Sequence, residues 1–267
     1  MDNKKSKFDR LWETKNKDDE WWSSFITAPL AIMVNLIVVD FKWLTPNRIT
    51  LFSFIVAIVS TVFIMQGGST NFIVAAALIH ASHILDCMDG QMARYRKISS
   101  PSGSYFDKLT DQIQVALWFG AIGYAAYVQT QNVLPVFLAL IGISFYSVRG
   151  YIKYIVIYSE MLDDKDYLNV TNKETAGIEK ATEQRAGPHK GILANLSWLL
   201  KEQLKFFYFN EGVFIFMLSL ALILNTLTDM LWVFAISQVL YGLGRSWQRG
   251  RQIHLGKHKD LLNPIEK

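Results

Sequence analysis

The chain has 267 residues, of which 51% are hydrophobic and 19% charged. This composition is too apolar for an ordinary soluble domain, and the net charge of +4 requires no nucleic-acid partner. The single cysteine, Cys87, excludes an intramolecular disulfide. The apolar residues form several stretches of about 20, which is the helix length that crosses roughly 30 Å of hydrocarbon. The sequence therefore predicts an all-α, multi-pass integral membrane protein.

Six membrane-spanning helices are predicted in chain order. They cover residues 47–66, 71–94, 105–128, 133–158, 206–224 and 229–248. Three short connections, at 67–70, 129–132 and 225–228, contain no lysine or arginine, and most basic residues lie at the other ends of the spans. By the positive-inside rule, both termini are predicted to face the cytoplasm.

The predicted membrane domain covers residues 47–248. A cytoplasmic N-terminus with an interfacial helix is expected at 1–46, and a cytoplasmic tail at 249–267. Within the membrane domain, residues 159–205 mix acids and bases almost evenly, which predicts a solvated cytoplasmic segment. Its end, at 192–207, is expected to form a second interfacial helix.

A seventh apolar stretch, at 24–39, has two interpretations. It is short for a membrane crossing, contains Pro29 and Asn35, and has tryptophans on both flanks, all of which favour an amphipathic helix lying in the interface. A crossing here would export the basic N-terminus and give an odd number of spans. A seventh crossing stays open as the alternative.

Four aspartates follow one another where the second predicted span ends and the third begins. They are Asp86, Asp89, Asp107 and Asp111. Helix positions three or four apart project from one face, so each pair shares a face of its own helix. The connection at 95–104 contains Pro101 and Gly103 and is short enough to make the helices antiparallel neighbours. Two carboxylate pairs are then expected to face each other.

A cation is expected among these carboxylates, because an ionised aspartate near a bilayer costs a few kcal/mol. Clustered carboxylate oxygens suit Mg²⁺, Mn²⁺ or Ca²⁺, and Mg²⁺ is favoured because it leaves positions for substrate phosphates. Gly90 and Ala93 clear the helix face beside the acids, so that a nucleotide can approach. Arg94 offers a planar, bidentate donor for phosphate.

These residues form the pattern Asp86-x2-Asp89-Gly90-x2-Ala93-Arg94-x8-Gly103-x3-Asp107-x3-Asp111. The pattern resembles the signature of the CDP-alcohol phosphotransferase family at all eight fixed positions. The predicted six helices, the interfacial N-terminal helix and the Pro46-Asn47-x2-Thr50 start of the first span are also similar to that family.

The resemblance implies an enzyme that transfers a substituted phosphate group from a CDP-alcohol to an acceptor hydroxyl and releases CMP. It implies that Asp86, Asp89 and Asp107 hold Mg²⁺ or Mn²⁺, with two ions per site, and that Asp111 binds metal or acts as the catalytic base. The residues expected to bind the cytidine diphosphate are Gly90, Ala93, Arg94, Gly103, Asn47 and Thr50. A homodimer in contact with membrane lipids, with the active site facing the cytoplasm, is also implied.

The acceptor is less constrained by the sequence. Arg149, Lys153 and Arg245 lie near cytoplasmic helix ends, where they can bind a phosphate on the acceptor or simply extend to the interface. The first interpretation favours a CDP-diacylglycerol donor and a phosphorylated polyol acceptor in phospholipid biosynthesis. The alternative is an enzyme similar to choline- or ethanolamine-phosphotransferases, with a CDP-linked small alcohol and a lipid acceptor.

Other classes of protein remain to be compared. A set of solvated helix-end charges does not explain the fixed spacing of the glycine, alanine and arginine. An aspartate-rich prenyltransferase needs a second aspartate-rich motif, which the later spans lack. A divalent-cation transporter is expected to distribute acids over several helices near the bilayer midplane. A membrane protein that binds cation and nucleotide without turnover also remains possible from the sequence.

Overall fold

The computed structural model describes residues 5–15, 21–163 and 211–254, and within these ranges the chain is helical without strands. The elements are α1 (Lys7–Trp12), a π-helical turn (Ser23–Thr27), α2 (Ala28–Val38), α3 (Pro46–Gln66), α4 (Ser69–Arg96), α5 (Pro101–Thr130), α6 (Leu134–Asp163), α7 (Glu211–Leu224) and α8 (Leu227–His254). The all-α prediction is confirmed for these ranges. The predicted loop and second interfacial helix between 164 and 207 lie outside the described residues, as does the tail from 255 onward.

The helices form one bundle around a shared apolar core. α3 packs against α4 and α5, α4 against α7, and α6 against both α5 and α8. Phe119 of α5 stacks on Phe234 of α8 with ring centroids 3.5 Å apart. Trp118 is also buried, and its indole Nε1 donates to Ser60 Oγ at 2.8 Å, so this polar group is satisfied inside the bundle.

Four helices are long and apolar enough to cross a membrane: Pro46–Gln66, Ser69–Arg96, Leu134–Ser159 and Leu227–His254. They are the first, second, fourth and sixth predicted spans. The third, α5, is 30 residues long but begins with a polar stretch that contains Asp107, Lys108 and Asp111. The described part of the fifth, α7, has 14 residues. A multi-pass membrane protein is therefore supported, and the number of six crossings stays a prediction.

The connection between α4 and α5 is shorter than the sequence indicated. Pro101 and Gly103 were expected in a loop at 95–104, but both belong to α5. Ser100 is the N-cap, its hydroxyl accepts a hydrogen bond from Gly103 N, and Pro101 occupies the first turn, where its missing N–H costs nothing. α4 ends where Lys97 adopts a left-handed conformation with φ of 55°. Only three residues then separate Lys97 from Pro101, so the two helices are tightly coupled.

The seventh apolar stretch, Ser23–Val38, is continuous helix and falls short of the length needed to cross. Its inner face is buried against α4, where Asn35 Nδ2 donates to Met88 O at 3.0 Å and to Gln91 Oε1 at 3.1 Å. Met33 and Ile37 on the other face are exposed. The length disfavours a seventh crossing, and the interfacial position stays a prediction.

Close packing between α6 and α8 depends on the glycine at position 142. A Cβ atom at Gly142 would overlap the ring of Phe234. We expect Gly142→Ala to lower the stability by about 1–3 kcal/mol, because the Phe119–Phe234 stack cannot yield without moving a helix. The measurement is the thermal unfolding midpoint of the purified chain in detergent.

Gly150→Ala is the matched control on the same helix. An added Cβ there meets nothing within 4 Å, so this variant should be as stable as the wild type or slightly more stable. Equal midpoints for Gly142→Ala and Gly150→Ala would contradict the packing described here.

Candidate functional site

The end of α4 and the start of α5 bring three of the four aspartates together. Asp86, Asp89 and Asp107 each offer a carboxylate oxygen, and these oxygens all lie within 4.8 Å of one another. Asp89 is buried, with 6% of its surface exposed, and the other two are half-buried. The expectation that two neighbouring helices turn acids towards each other is confirmed for these three.

Asp111 is half-buried one turn further along α5 than Asp107. It is not part of the group of three within the described chain. Its assignment as a metal ligand therefore has less support than that of the others, and its role as a base stays a prediction.

Asp89 is oriented by a residue from a third helix. Thr50 of α3 is buried, and its hydroxyl donates to Asp89 Oδ2. A hydroxyl that donates to an ionised carboxylate makes one of the stronger protein hydrogen bonds. Thr50 therefore holds one oxygen of Asp89 in place from the side of α3.

The donor set fits a small, hard divalent cation. Two oxygens bound to one Mg²⁺ at about 2.1 Å lie at most about 4.2 Å apart, and the three carboxylates need only small adjustments to reach this spacing. The group contains no sulfur or imidazole ligand that would select a softer metal. Asp86, Asp89 and Asp107 are thus suited to Mg²⁺ or Mn²⁺.

A cavity of about 510 Å³ opens beside this cluster, within the size range of small-molecule sites. Asp89 and Asp107 line it together with all six residues predicted to bind the nucleotide: Asn47, Thr50, Gly90, Ala93, Arg94 and Gly103. The start of α3, the end of α4 and the start of α5 form its walls. Residues 57 positions apart in sequence, from Asn47 to Gly103, therefore meet in one space.

Two glycines shape the cavity wall through close approaches. A Cβ atom at Gly103 would lie 3.2 Å from Asn47 Oδ1 and 3.2 Å from Ser100 Oγ, so a larger residue would crowd both side chains. At Gly90, a Cβ would lie 3.2 Å from Nη1 of Arg94. The absence of a side chain at Gly90 allows the guanidinium to lie directly on the helix surface.

Several lining residues were missed by the sequence interpretation. They are Thr45, Ile98, Ser99, Ser100, Ser104 and Lys108, in addition to Pro46. Lys108 Nζ donates to Ser104 Oγ at 3.0 Å. The run of hydroxyls at 99, 100, 102 and 104, lying between two signature positions, is the signal that would have indicated them.

Arg96 organises the chain that leads into the cavity. Its guanidinium donates to three backbone carbonyls of the α2–α3 connection, at distances of 2.6 to 3.0 Å: those of Val39, Phe41 and Leu44. These carbonyls follow α2 and have no helical partner of their own in this turn. Arg96 thereby fixes the position at which Thr45 and Asn47 enter the wall.

Two of the three predicted acceptor residues come together. Arg149 Cζ lies 4.3 Å from the ring centroid of Tyr241, and Arg245 Nε donates to the hydroxyl of Tyr241 at 3.0 Å. Arg149 Nη1 also donates to Gln238 Oε1 at 2.7 Å. Lys153 is exposed and does not join this contact around Tyr241. Tyr241 and Gln238 were missed because neither belongs to a recognisable motif.

Comparisons with known proteins agree with this geometry. Residues 43–175 match the family model for CDP-alcohol phosphatidyltransferase. An uncharacterized protein of Aquifex aeolicus (strain VF5) is 35% identical over 112 residues, which cover 40% of this chain and 55% of the relative. The match thus spans about half the length of that relative. The range 43–175 contains the whole cavity wall and all four aspartates, and it ends before α7.

Proposed function

Because the chain belongs to the CDP-alcohol phosphatidyltransferase family through residues 43–175, we propose that it transfers a substituted phosphate group from a CDP-alcohol to an acceptor hydroxyl. The observation that carries the proposal is the position of the carboxylate cluster, Asp86, Asp89 and Asp107, beside the 510 Å³ cavity. Phosphoryl transfer depends on positioning and on neutralisation of charge, and both needs are met by residues of this site.

The cavity residues bind the part that all donors share. Gly90, Ala93 and Gly103 leave space for the cytidine diphosphate, and Arg94 supplies a fixed positive charge for its phosphates. Thr50 holds Asp89, while Asn47 lies against Gly103 at the entry of α3. Acyl chains of a CDP-diacylglycerol donor would leave the bundle sideways into lipid.

The three clustered aspartates hold Mg²⁺ or Mn²⁺, with two ions per site. When bound, the metal neutralises charge on the diphosphate and on the leaving CMP. The carboxylates in turn need a cation, because three acids so close together repel one another.

Asp111 acts as the base. The acceptor oxygen forms a bond to the phosphorus that carries the alcohol group, the bond from that phosphorus to the oxygen of CMP breaks, and the hydroxyl proton passes to Asp111. This aspartate is on the same helix as Asp107 but outside the group of three, so its carboxylate is better placed than theirs to take a proton.

Arg149 and Arg245 bind the acceptor. Two guanidiniums that share Tyr241 offer several N–H donors to a phosphate, which favours a phosphorylated polyol as acceptor and CDP-diacylglycerol as donor. In the assembly we propose, six helices cross the membrane, the site faces the cytoplasm, and two copies of the chain form a homodimer.

The test is a matrix of CDP-alcohols against acceptors with Mg²⁺ or Mn²⁺, scored by CMP release and product mass. CDP-diacylglycerol with a phosphorylated polyol should give a phosphodiester and CMP. Turnover of a CDP-linked small alcohol with a lipid acceptor would establish the alternative donor. No CMP release with any pair would leave a protein that binds nucleotide without turnover and refute the proposal.

Asp111→Asn tests the base. This nearly isosteric change should lower kcat at least about 100-fold, the usual contribution of general base catalysis, while CDP-alcohol binding stays measurable. Initial rates of CMP release and a binding isotherm for the donor give both quantities.

The control for Asp111→Asn is Asp229→Asn at the far end of α8, where the aspartate is exposed and remote from the cavity. It should keep the wild-type rate. Near-normal turnover by Asp111→Asn would show that another group takes the proton.

Arg149→Gln tests the acceptor site. Loss of a charged donor should raise the KM for a phosphorylated acceptor about tenfold or more, with the KM for the donor unchanged. Lys153→Gln, four positions further along the same helix, should change neither constant because Lys153 is exposed. Equal effects of the two variants would indicate that Arg149 has no specific contact with the acceptor.

A further inference from the structure

Arg94 is held by a residue that is distant in sequence. Its Nε donates to the backbone carbonyl of Thr14 at 2.7 Å, across a separation of 80 residues. Nη1 and Nη2 of the same guanidinium lie 3.2 and 3.5 Å from where a Cβ of Gly90 would be. The contact with Thr14 therefore fixes the side chain from one edge while its terminal nitrogens lie along the cavity wall.

The segment that carries Thr14 is docked on the bundle. Leu11 of α1 has no exposed surface, and it packs in an apolar cluster with Ile32 of α2 and with Met88 and Met92 of α4. Thr14 itself is buried, and its hydroxyl donates to Leu11 O at 2.6 Å, which closes the end of the helix. The carbonyl of Thr14 is thus held close to Leu11.

Two cations add polar contacts to this apolar anchor. Lys7 Nζ donates to Leu36 O at 2.7 Å and forms an ion pair with Asp40 at 2.5 Å. The guanidinium of Arg10 lies 5.1 Å from the ring centroid of Tyr95, the neighbour of Arg94 in sequence. α1 is therefore connected to both α2 and α4 at its two ends.

We propose that residues 7–14, which we call the N-terminal clamp, position Arg94 for the diphosphate of the donor. This role rests on the proposed function, since it assigns Arg94 to the nucleotide. The clamp lies outside residues 43–175, so it is an addition to the matched domain rather than a part of it. It acts through Arg94 and does not itself touch the substrate.

The physical reason is the freedom of an arginine side chain. An exposed arginine has many rotamers, and ordering a flexible side chain costs about 0.5–1.5 kcal/mol on binding. Arg94 is exposed along most of its surface, so the contact with Thr14 is what limits its freedom before the ligand arrives. Undocking the clamp should return that cost to the binding step.

The experiment compares Leu11→Glu with Trp12→Glu in the full chain, reconstituted in lipid nanodiscs with Mg²⁺. Both variants add the same charge to α1, but Leu11 is fully buried and Trp12 is 45% exposed. CDP binding should weaken about 2- to 10-fold in Leu11→Glu and remain at the wild-type value in Trp12→Glu. The KM for the donor should rise by the same factor, with kcat unchanged at saturating donor.

A double-mutant cycle with Arg94→Lys separates positioning from a general loss of stability. A lysine cannot make the Nε contact with Thr14, so Leu11→Glu should have no further effect on CDP affinity in that background. Additive losses would show that the clamp does not act through Arg94. Leu11→Ala, which opens the same contact without a buried charge, replaces Leu11→Glu if the latter does not fold, and it should shift CDP affinity in the same direction.

The outcomes distinguish this role from the proposed function. Wild-type protein that binds CDP, together with folded Leu11 variants of unchanged affinity, would overturn the clamp alone. Wild-type protein that binds no CDP would overturn the proposed function and the clamp with it.

Discussion

The constraint on which the site depends is the repulsion among three carboxylates placed at one end of a helical bundle. With oxygens no more than 4.8 Å apart, each ionised pair repels by about 3 kcal/mol at an effective dielectric constant of about 20. Such a group is retained only if something positive compensates it, and a divalent cation is the smallest such partner. The family to which the chain belongs gives this cation a purpose, because a diphosphate also needs its charge neutralised.

The scaffold maintains the cluster through short connections and buried polar contacts. The turn between Lys97 and Pro101 is so short that α4 and α5 must lie side by side, which keeps Asp107 opposite Asp89. Thr50 reaches Asp89 from α3, and Arg96 fixes the chain that enters α3. Each of these contacts comes from a different helix, so the bundle positions the acids more rigidly than one helix could.

The local parts of this arrangement were predictable from sequence, because the 3.6-residue helical repeat places Asp86 beside Asp89 and the spacing of the signature residues indicates a shared cavity. Pro101 and Gly103 were wrongly assigned to a loop, since a proline in a first helical turn and a proline in a loop look the same in sequence. The contact of Arg94 with Thr14 and the meeting of Arg149 with Tyr241 join residues far apart in the chain. No periodicity or motif encodes such pairs, and only the packed bundle reveals them.

The most direct test is Mn²⁺ binding to the purified chain, followed by electron paramagnetic resonance, for the wild type and for Asp107→Asn. If the three carboxylates share a cation, the wild type should bind Mn²⁺ saturably, and loss of one ligand should weaken this binding about tenfold or more. Exposed Asp229→Asn should bind as the wild type does. Equal Mn²⁺ affinity in the wild type and Asp107→Asn would contradict the shared metal site and the phosphotransfer chemistry built on it.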